Sequence, residues 1–91
     1  PEAAARLDAA RAALRELSER VSVPTENLVT PELVRRLCWD WEGADDAGTA
    51  VDEFLAGGQA RRWQRELVVP VLAAALSATP EGTEGVSPAA R

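Results

Sequence analysis

The chain has 91 residues, about the size of one ordinary domain, and this length excludes a second domain of similar size. Its apolar content of 46% is typical of a globular protein, although much of that content is alanine. Fifteen acidic residues outnumber ten arginines, for a net charge of −5, and the chain has no histidine, lysine, tyrosine or methionine. This composition excludes most histidine-based acid–base and metal chemistry, so we expect a small acidic domain that is not itself an enzyme.

Residues 3–21 predict an amphipathic helix, because apolar side chains recur at intervals of three and four along one face. Charged residues, Arg6 and Arg11 among them, are expected on the polar side. We expect Pro24 to end the helix and residues 23–29 to form a packed loop without regular structure. The apolar stripe consists of Leu7, Ala10, Leu14, Leu17 and Val21.

A strong start signal precedes the second predicted helix, residues 31–41: Thr30 can act as the N-cap and Pro31 can occupy the first helical position. The single cysteine, Cys38, cannot form an internal disulfide, and we expect a buried thiol in a reducing compartment, the cytoplasm. No apolar segment approaches the length of a membrane span, so we expect no membrane association.

Two tryptophans close this second helix and cannot both face one core, because residues two apart on a helix point about 200° away from each other. The helical phase favours Trp41 inside the bundle and Trp39 at the surface. Trp39 then lies near Arg35 and Arg36, and we expect a cation–π contact or a docking surface there.

The second half of the chain predicts two more helices, over 46–56 and 59–78. Gly57 and Gly58 stand between them, where one of them is expected to supply the left-handed residue that ends a helix. Pro70 removes one backbone donor inside the last helix. We expect a kink rather than a break, because the apolar register continues on both sides.

The segment over 59–78 is the only locally basic one. Two glycines before a helix can expose unpaired N–H groups, and arginines one turn further on can fork onto a phosphate. The alternative is that Gly57 only caps a helix and the arginines only solubilise it. Trp63 continues the apolar stripe of Leu67 and Val71, so a core position is preferred over a base-stacking platform. The candidate nucleic-acid-binding residues are Gly57, Gly58, Gln59, Arg61, Arg62 and Arg65.

The acidic run from Asp40 to Glu53 contains no basic residue. Its spacing lacks the alternating ligands, central glycine and closing glutamate of a helix-loop-helix calcium site. We therefore expect a solvated acidic face, with no metal site and no cofactor in this domain. The consistent interpretation is an all-α fold, a small bundle of four to five helices over 1–78, followed by a disordered tail over 79–91.

Two segments carry a resemblance to a known family. Residues 17–39 include Pro-Thr-Glu-Asn-Leu-Val-Thr-Pro and then Arg-Arg-Leu-Cys-Trp, and residues 63–76 read Trp-Gln-Arg-Glu-Leu-Val-Val-Pro-Val-Leu-Ala-Ala-Ala-Leu. Together they resemble the C-terminal HRDC (helicase and RNase D C-terminal) domain of a ribonuclease D-like 3′-5′ exonuclease. The arginine-only, alanine-rich composition is similar to that of actinobacterial homologues.

The resemblance implies a helical bundle beside a separate nuclease domain, whose acidic residues bind divalent metals. It implies a weak, non-catalytic role in positioning RNA or other single-stranded nucleic acid, with the turn at Gly57 and Gly58 matching a hairpin that meets phosphates. An architectural domain, docked on the catalytic domain of the same chain through Trp39, is the alternative. A free-standing protein-interaction bundle is a third possibility.

Overall fold

The computed structural model describes residues 2–78, and within that range the protein is a bundle of five helices without strands. The all-α prediction is therefore confirmed. The predicted disordered tail over 79–91 lies outside the described residues, and the domain boundary after residue 78 stays a prediction. The helices are α1 (Glu2–Val21), α2 (Thr25–Leu28), α3 (Pro31–Asp40), α4 (Ala47–Gly57) and α5 (Arg62–Ala78).

The long helix α1 organises the bundle, since it packs against α5 and α3, while α4 packs mainly against α5. Most of the predicted stripe of α1 is buried, with Leu7 and Val21 half-buried at its two ends. Burying apolar side chains from every helix in one cluster is the main stabilising contribution to such a fold. The largest fully buried side chains are Leu28, Leu55, Leu72, Leu76, Val51, Val68 and Cys38.

The predicted loop over 23–29 contains one turn of helix, α2, so that prediction is wrong in part. Pro24 starts this turn, because its carbonyl oxygen accepts hydrogen bonds from the N–H groups of Asn27 and Leu28 at 2.9 and 3.2 Å. The turn directs Leu28 and the following Val29 into the core. α1 itself ends at Val21, and the next residue, Ser22, is left-handed with φ of 59°.

The caps of α3 and α4 are local and match the sequence closely. The Thr30 hydroxyl accepts a hydrogen bond from the N–H of Leu33 at 3.3 Å, and the Asp46 carboxylate accepts one from the N–H of Thr49 at 3.1 Å. Helix α3 ends one residue earlier than predicted because Trp41 has extended backbone angles. Its side chain is half-buried against the core, as the helical phase suggested.

Arg6 is the main departure from the predicted polar face of α1. Only 6% of this residue is exposed, and its Nε donates a hydrogen bond to the carbonyl oxygen of Cys38 at 2.9 Å. That carbonyl lies in the last turn of α3, which has no basic residue of its own and whose carbonyls lack donors within the helix. Arg6 therefore caps α3 from a neighbouring helix.

Cys38 is buried, as predicted, and is a free thiol. Burial raises the pKa of the Cys38 thiol above its ordinary value, and the positive charges of Arg6 and Arg11 oppose that shift. The side chain therefore acts as a small apolar group of the core.

The last helix begins at Arg62, three residues later than predicted, and continues through Pro70 to Ala78. Pro70 thus does not break the helix. None of the helices described between residues 2 and 78 is long and apolar enough to cross a membrane.

Candidate functional site

The turn between α4 and α5 uses its backbone donors within the fold. The N–H groups of Gly58, Gln59 and Ala60 all donate to carbonyl oxygens of the last turn of α4, at 3.0–3.1 Å. This is the hydrogen-bond pattern of a Schellman motif, in which the chain closes a helix end on itself. The expectation that the glycines expose unpaired N–H groups to a phosphate is therefore wrong at Gly58.

The two glycines of this turn also differ from the predicted roles. The left-handed residue is Gln59, with φ of 70°, whereas Gly58 has φ of −90° and Gly57 is the last residue of α4. Glycine is favoured at position 58 for a different reason, because a Cβ there would lie 2.5 Å from Cδ1 of Leu33, which would have to shift. A Cβ on Gly57 would meet nothing within 4 Å.

Gln64 fixes the first turn of α5. Its Oε1 accepts a hydrogen bond from the N–H of Arg61 at 2.7 Å, and its Nε2 donates to the carbonyl oxygen of Asn27 at 2.9 Å. One side chain therefore caps α5 and connects its start to α2. The sequence carried a signal for this role, since a glutamine three residues after a helix cap commonly reaches back to it.

The first two candidate arginines lie at the surface at the start of α5. Arg61 is exposed, and no described residue makes a hydrogen bond or ion pair with its guanidinium group. Nε of Arg62 lies 3.5 Å from Oε2 of Glu66, and both side chains are largely exposed. An exposed pair of this kind contributes little, so Arg62 can exchange Glu66 for another anion at small cost.

Arg65, the third candidate arginine, is engaged within the domain. Its Nε donates to Oδ1 of Asp52 on α4 at 2.9 Å, and its Nη1 donates to the carbonyl oxygen of Ala60 at 2.7 Å. Its side chain is mostly buried. Arg65 therefore lies on α5, as the spacing predicted. Both of its contacts, however, are made within the domain, where they connect α4, the turn and α5.

Trp63 was predicted in the core and is 45% exposed, so that prediction is wrong. The buried residues of α5 are Val68, Leu72 and Leu76, and at about 100° per residue Trp63 points roughly 140° away from Val68. The competing stripe through Leu67 is only half-buried. Trp63 consequently lies at the surface, directly after the exposed Arg61 and Arg62 in the sequence.

The second predicted surface lies on the outer side of α3. Trp39 is 68% exposed, and both Arg35 and Arg36 are exposed. Arg35 precedes Trp39 by four residues and Arg36 precedes it by three, so all three lie on neighbouring positions of one helical face. The surface position predicted for Trp39 is confirmed.

The structure has a groove between α1 and the α2–α3 segment that was not predicted from the sequence. It has a volume of about 300 Å³, and the exposed residues Arg11 and Arg15 lie at its rim. The sequence carried one signal for this site: the two arginines are four residues apart, and that spacing places two side chains next to each other on a helix. The apolar side chains that close the groove come from three separate segments, with Leu14 on α1, Val29 after α2 and Val34 on α3.

Two members of the acidic run stabilise the fold. Hydrogen bonds from the backbone and then the side chain of Thr49 lower the pKa of Asp46, the N-cap of α4. Asp52 binds Arg65. Within residues 2–78, no group of three or more acidic or cysteine side chains is arranged to hold a metal ion.

A family model described as "3' to 5' exonuclease C-terminal domain" matches residues 1–76. No curated protein and no solved structure matches the chain at a significant level.

Proposed function

This chain belongs to the 3′ to 5′ exonuclease C-terminal domain family, and from that premise we propose that it positions single-stranded RNA for a separate nuclease domain. In this proposal the domain itself is non-catalytic and holds no cofactor, while the nuclease domain binds the divalent metals and cleaves the bond. The more specific assignment, an HRDC domain of a ribonuclease D-like exonuclease of actinobacterial type in the cytoplasm, rests on the resemblance of 17–39 and 63–76.

The exposed indole of Trp63 is the observation that carries this proposal. It lies one residue after Arg62 and two after Arg61, and all three side chains are accessible. Proteins that bind single strands combine cations for the phosphates with aromatic faces on which bases stack. The start of α5 offers both within one helical turn.

The other candidate residues hold this surface in place through contacts within the domain. Gly57, Gly58 and Gln59 form the turn that ends α4, and Arg65 holds the turn to Asp52. We propose that they set the direction of α5, and with it the position of Trp63, rather than contacting a phosphate directly. Because the chain is acidic, binding is expected to be weak and to fall steeply with salt.

The test is a titration of labelled single-stranded RNA, followed by fluorescence anisotropy. Arg61→Glu/Arg62→Glu should weaken binding about tenfold at low salt and reduce the salt slope by about 2, since two phosphate contacts are lost. Arg35→Glu/Arg36→Glu on α3 is the matched control, with an identical charge change. Curves for the α5 variant that coincide with wild type would remove the RNA role of this surface.

A second candidate function is docking on the catalytic domain through Trp39. Its 68% exposure beside Arg35 and Arg36 favours it, because tryptophan and arginine are the residues most enriched where protein interfaces concentrate their binding energy. The 91-residue chain would then bind the nuclease domain when the two are mixed, and Trp39→Ala would abolish that binding without changing the RNA titration. Binding unaffected by Trp39→Ala would exclude this surface.

A further inference from the structure

The groove between α1 and the α2–α3 segment is a half-enclosed depression with an apolar floor and a basic rim. The floor consists of the exposed Pro31 and of Leu14, Val29 and Val34, which are exposed by 4% or less, and Arg11, Arg15 and Thr25 lie around it. Its volume of about 300 Å³ is at the lower end of the range for small-ligand sites. The groove therefore has room for a compact group with an apolar face.

The two arginines at the rim are available to a ligand. Arg11 and Arg15 are exposed, and neither forms a hydrogen bond or an ion pair with any residue between 2 and 78. Asp8 and Glu19 are neighbours of these arginines on α1, but neither carboxylate lines the groove or approaches an arginine to ion-pair distance. Two unpaired guanidinium groups above an apolar floor complement an anion attached to a flat apolar body.

A nucleotide has this combination, and it fits the groove better than an acidic helix does. A docked helix needs a long groove that takes apolar anchors over two turns, whereas this groove is lined by little more than one turn of α1, from Arg11 to Arg15. Guanidinium groups bind phosphate oxygens through paired hydrogen bonds, and a base can lie on the floor of the groove, mainly against the exposed Pro31.

The groove is also connected to the start of α5. Asn27 on α2 accepts the hydrogen bond from Gln64, and Thr25 at the other end of α2 lines the groove. We propose that the groove takes one nucleotide of the same single strand that Trp63 stacks on, with the base on its apolar floor and the phosphate on Arg11 and Arg15. This inference rests on the proposed function and extends it to a second contact point across α2.

The first test compares two arginines of the same helix in the full 91-residue chain. Arg15→Glu should weaken the binding of a labelled single-stranded RNA about five- to tenfold at low salt and reduce the salt slope by about 1. Arg20→Glu is the matched control, because Arg20 is exposed on α1 next to α5, outside the groove, and carries the same charge change. Circular dichroism should show that both variants keep their helices.

The second test locates the base. In an amide-resolved NMR titration, the RNA should shift the signals of Val29 and Val34, and an abasic oligonucleotide of equal length should leave them unchanged. A poly-glutamate peptide, the probe for an acidic protein partner, should also leave them unchanged. Shifts that the abasic strand or the peptide produces equally well would overturn the nucleotide assignment.

The outcomes separate the two proposals. If wild type binds RNA and the Arg61→Glu/Arg62→Glu variant is impaired, but Arg15→Glu behaves as Arg20→Glu does, the groove proposal is overturned and the α5 surface stands. If wild type does not bind RNA at low salt, the proposed function fails and the groove proposal fails with it. A selective loss at Arg15, together with base-dependent shifts at Val29 and Val34, supports the groove.

Discussion

The arginines of α1 and those at the start of α5 share a charge and a spacing but differ in what they contact. Arg11 and Arg15 are four residues apart on α1, and Arg65 of α5 likewise follows by four residues Arg61, which immediately precedes that helix. In α5 the second member is held by a carboxylate of α4 and a backbone carbonyl, whereas in α1 both members are exposed with no ion pair among residues 2–78. The availability of an arginine for a ligand is thus decided by the neighbouring helix, here by Asp52.

The largest expected effect concerns the buried arginine of α1. Arg6→Ala should lower the free energy of unfolding by about 2–3 kcal/mol, because it removes a buried stem and the hydrogen bond to the Cys38 carbonyl. Arg11→Ala, on the exposed side of the same helix, should change it by no more than about 0.5 kcal/mol. Urea denaturation measures both. Equal effects would mean that Arg6 does not cap α3.

The next prediction compares how much Arg65 and Arg62 of α5 contribute to the free energy of unfolding. Arg65→Ala should cost about 1–2 kcal/mol, since it breaks the contacts with Asp52 and the Ala60 carbonyl at a mostly buried side chain. Arg62→Ala should cost at most about 0.5 kcal/mol, because its pair with Glu66 is exposed. A double-mutant cycle with Asp52→Ala isolates the pair. A coupling near zero would contradict the structural role of Arg65.

The third prediction tests the turn that directs α5. Gly58→Ala should lower stability by about 1 kcal/mol or slightly more, because the added Cβ would meet the buried Leu33 side chain at 2.5 Å. Gly57→Ala should raise it by about 0.5 kcal/mol, since the position is helical and open. Thermal unfolding of both variants checks this contrast, and the opposite order would refute the packing at Gly58.

The smallest effect is a pH dependence that arises at the start of α4. Hydrogen bonds from Thr49 place the pKa of Asp46 below its ordinary value of 3.8, so the folded state favours the ionised carboxylate. The stabilisation is present above that ordinary pKa and is lost as the pH falls through the lower value of the folded state. Asp46→Asn keeps a capping side chain but does not titrate there. The difference in urea midpoint between wild type and Asp46→Asn should therefore shrink at acidic pH, and a difference that grows instead would reverse the assigned shift.

Features that depend on neighbouring residues of the sequence could be predicted well. Thr30 with Pro31 and the start of α4 near Asp46 follow from capping chemistry, which acts over three or four residues. The α1 stripe and the surface position of Trp39 follow from helical phase alone. These local rules were sufficient for the number and order of the long helices.

Features that depend on a partner distant in sequence could not be predicted. Helix α5 has two apolar stripes, one through Leu67 and one through Val68, and the sequence does not show which of them faces the core. The packing of α1 and α4 against α5 buries the stripe through Val68 and leaves Trp63 at the surface. Likewise, no local sequence pattern predicts the hydrogen bond from Arg6 to the Cys38 carbonyl oxygen or the close approach of Gly58 to Leu33. The groove at Arg11 needs three separate segments of the chain to form its floor.

The most direct test of the proposed function follows the three tryptophan indole N–H signals by NMR while single-stranded RNA is added. The account predicts that the signal of Trp63 shifts with increasing RNA, while the signals of Trp39 and the half-buried Trp41 stay in place. A shift of the Trp39 signal with no change at Trp63, or no shift of any indole at low salt, would contradict it.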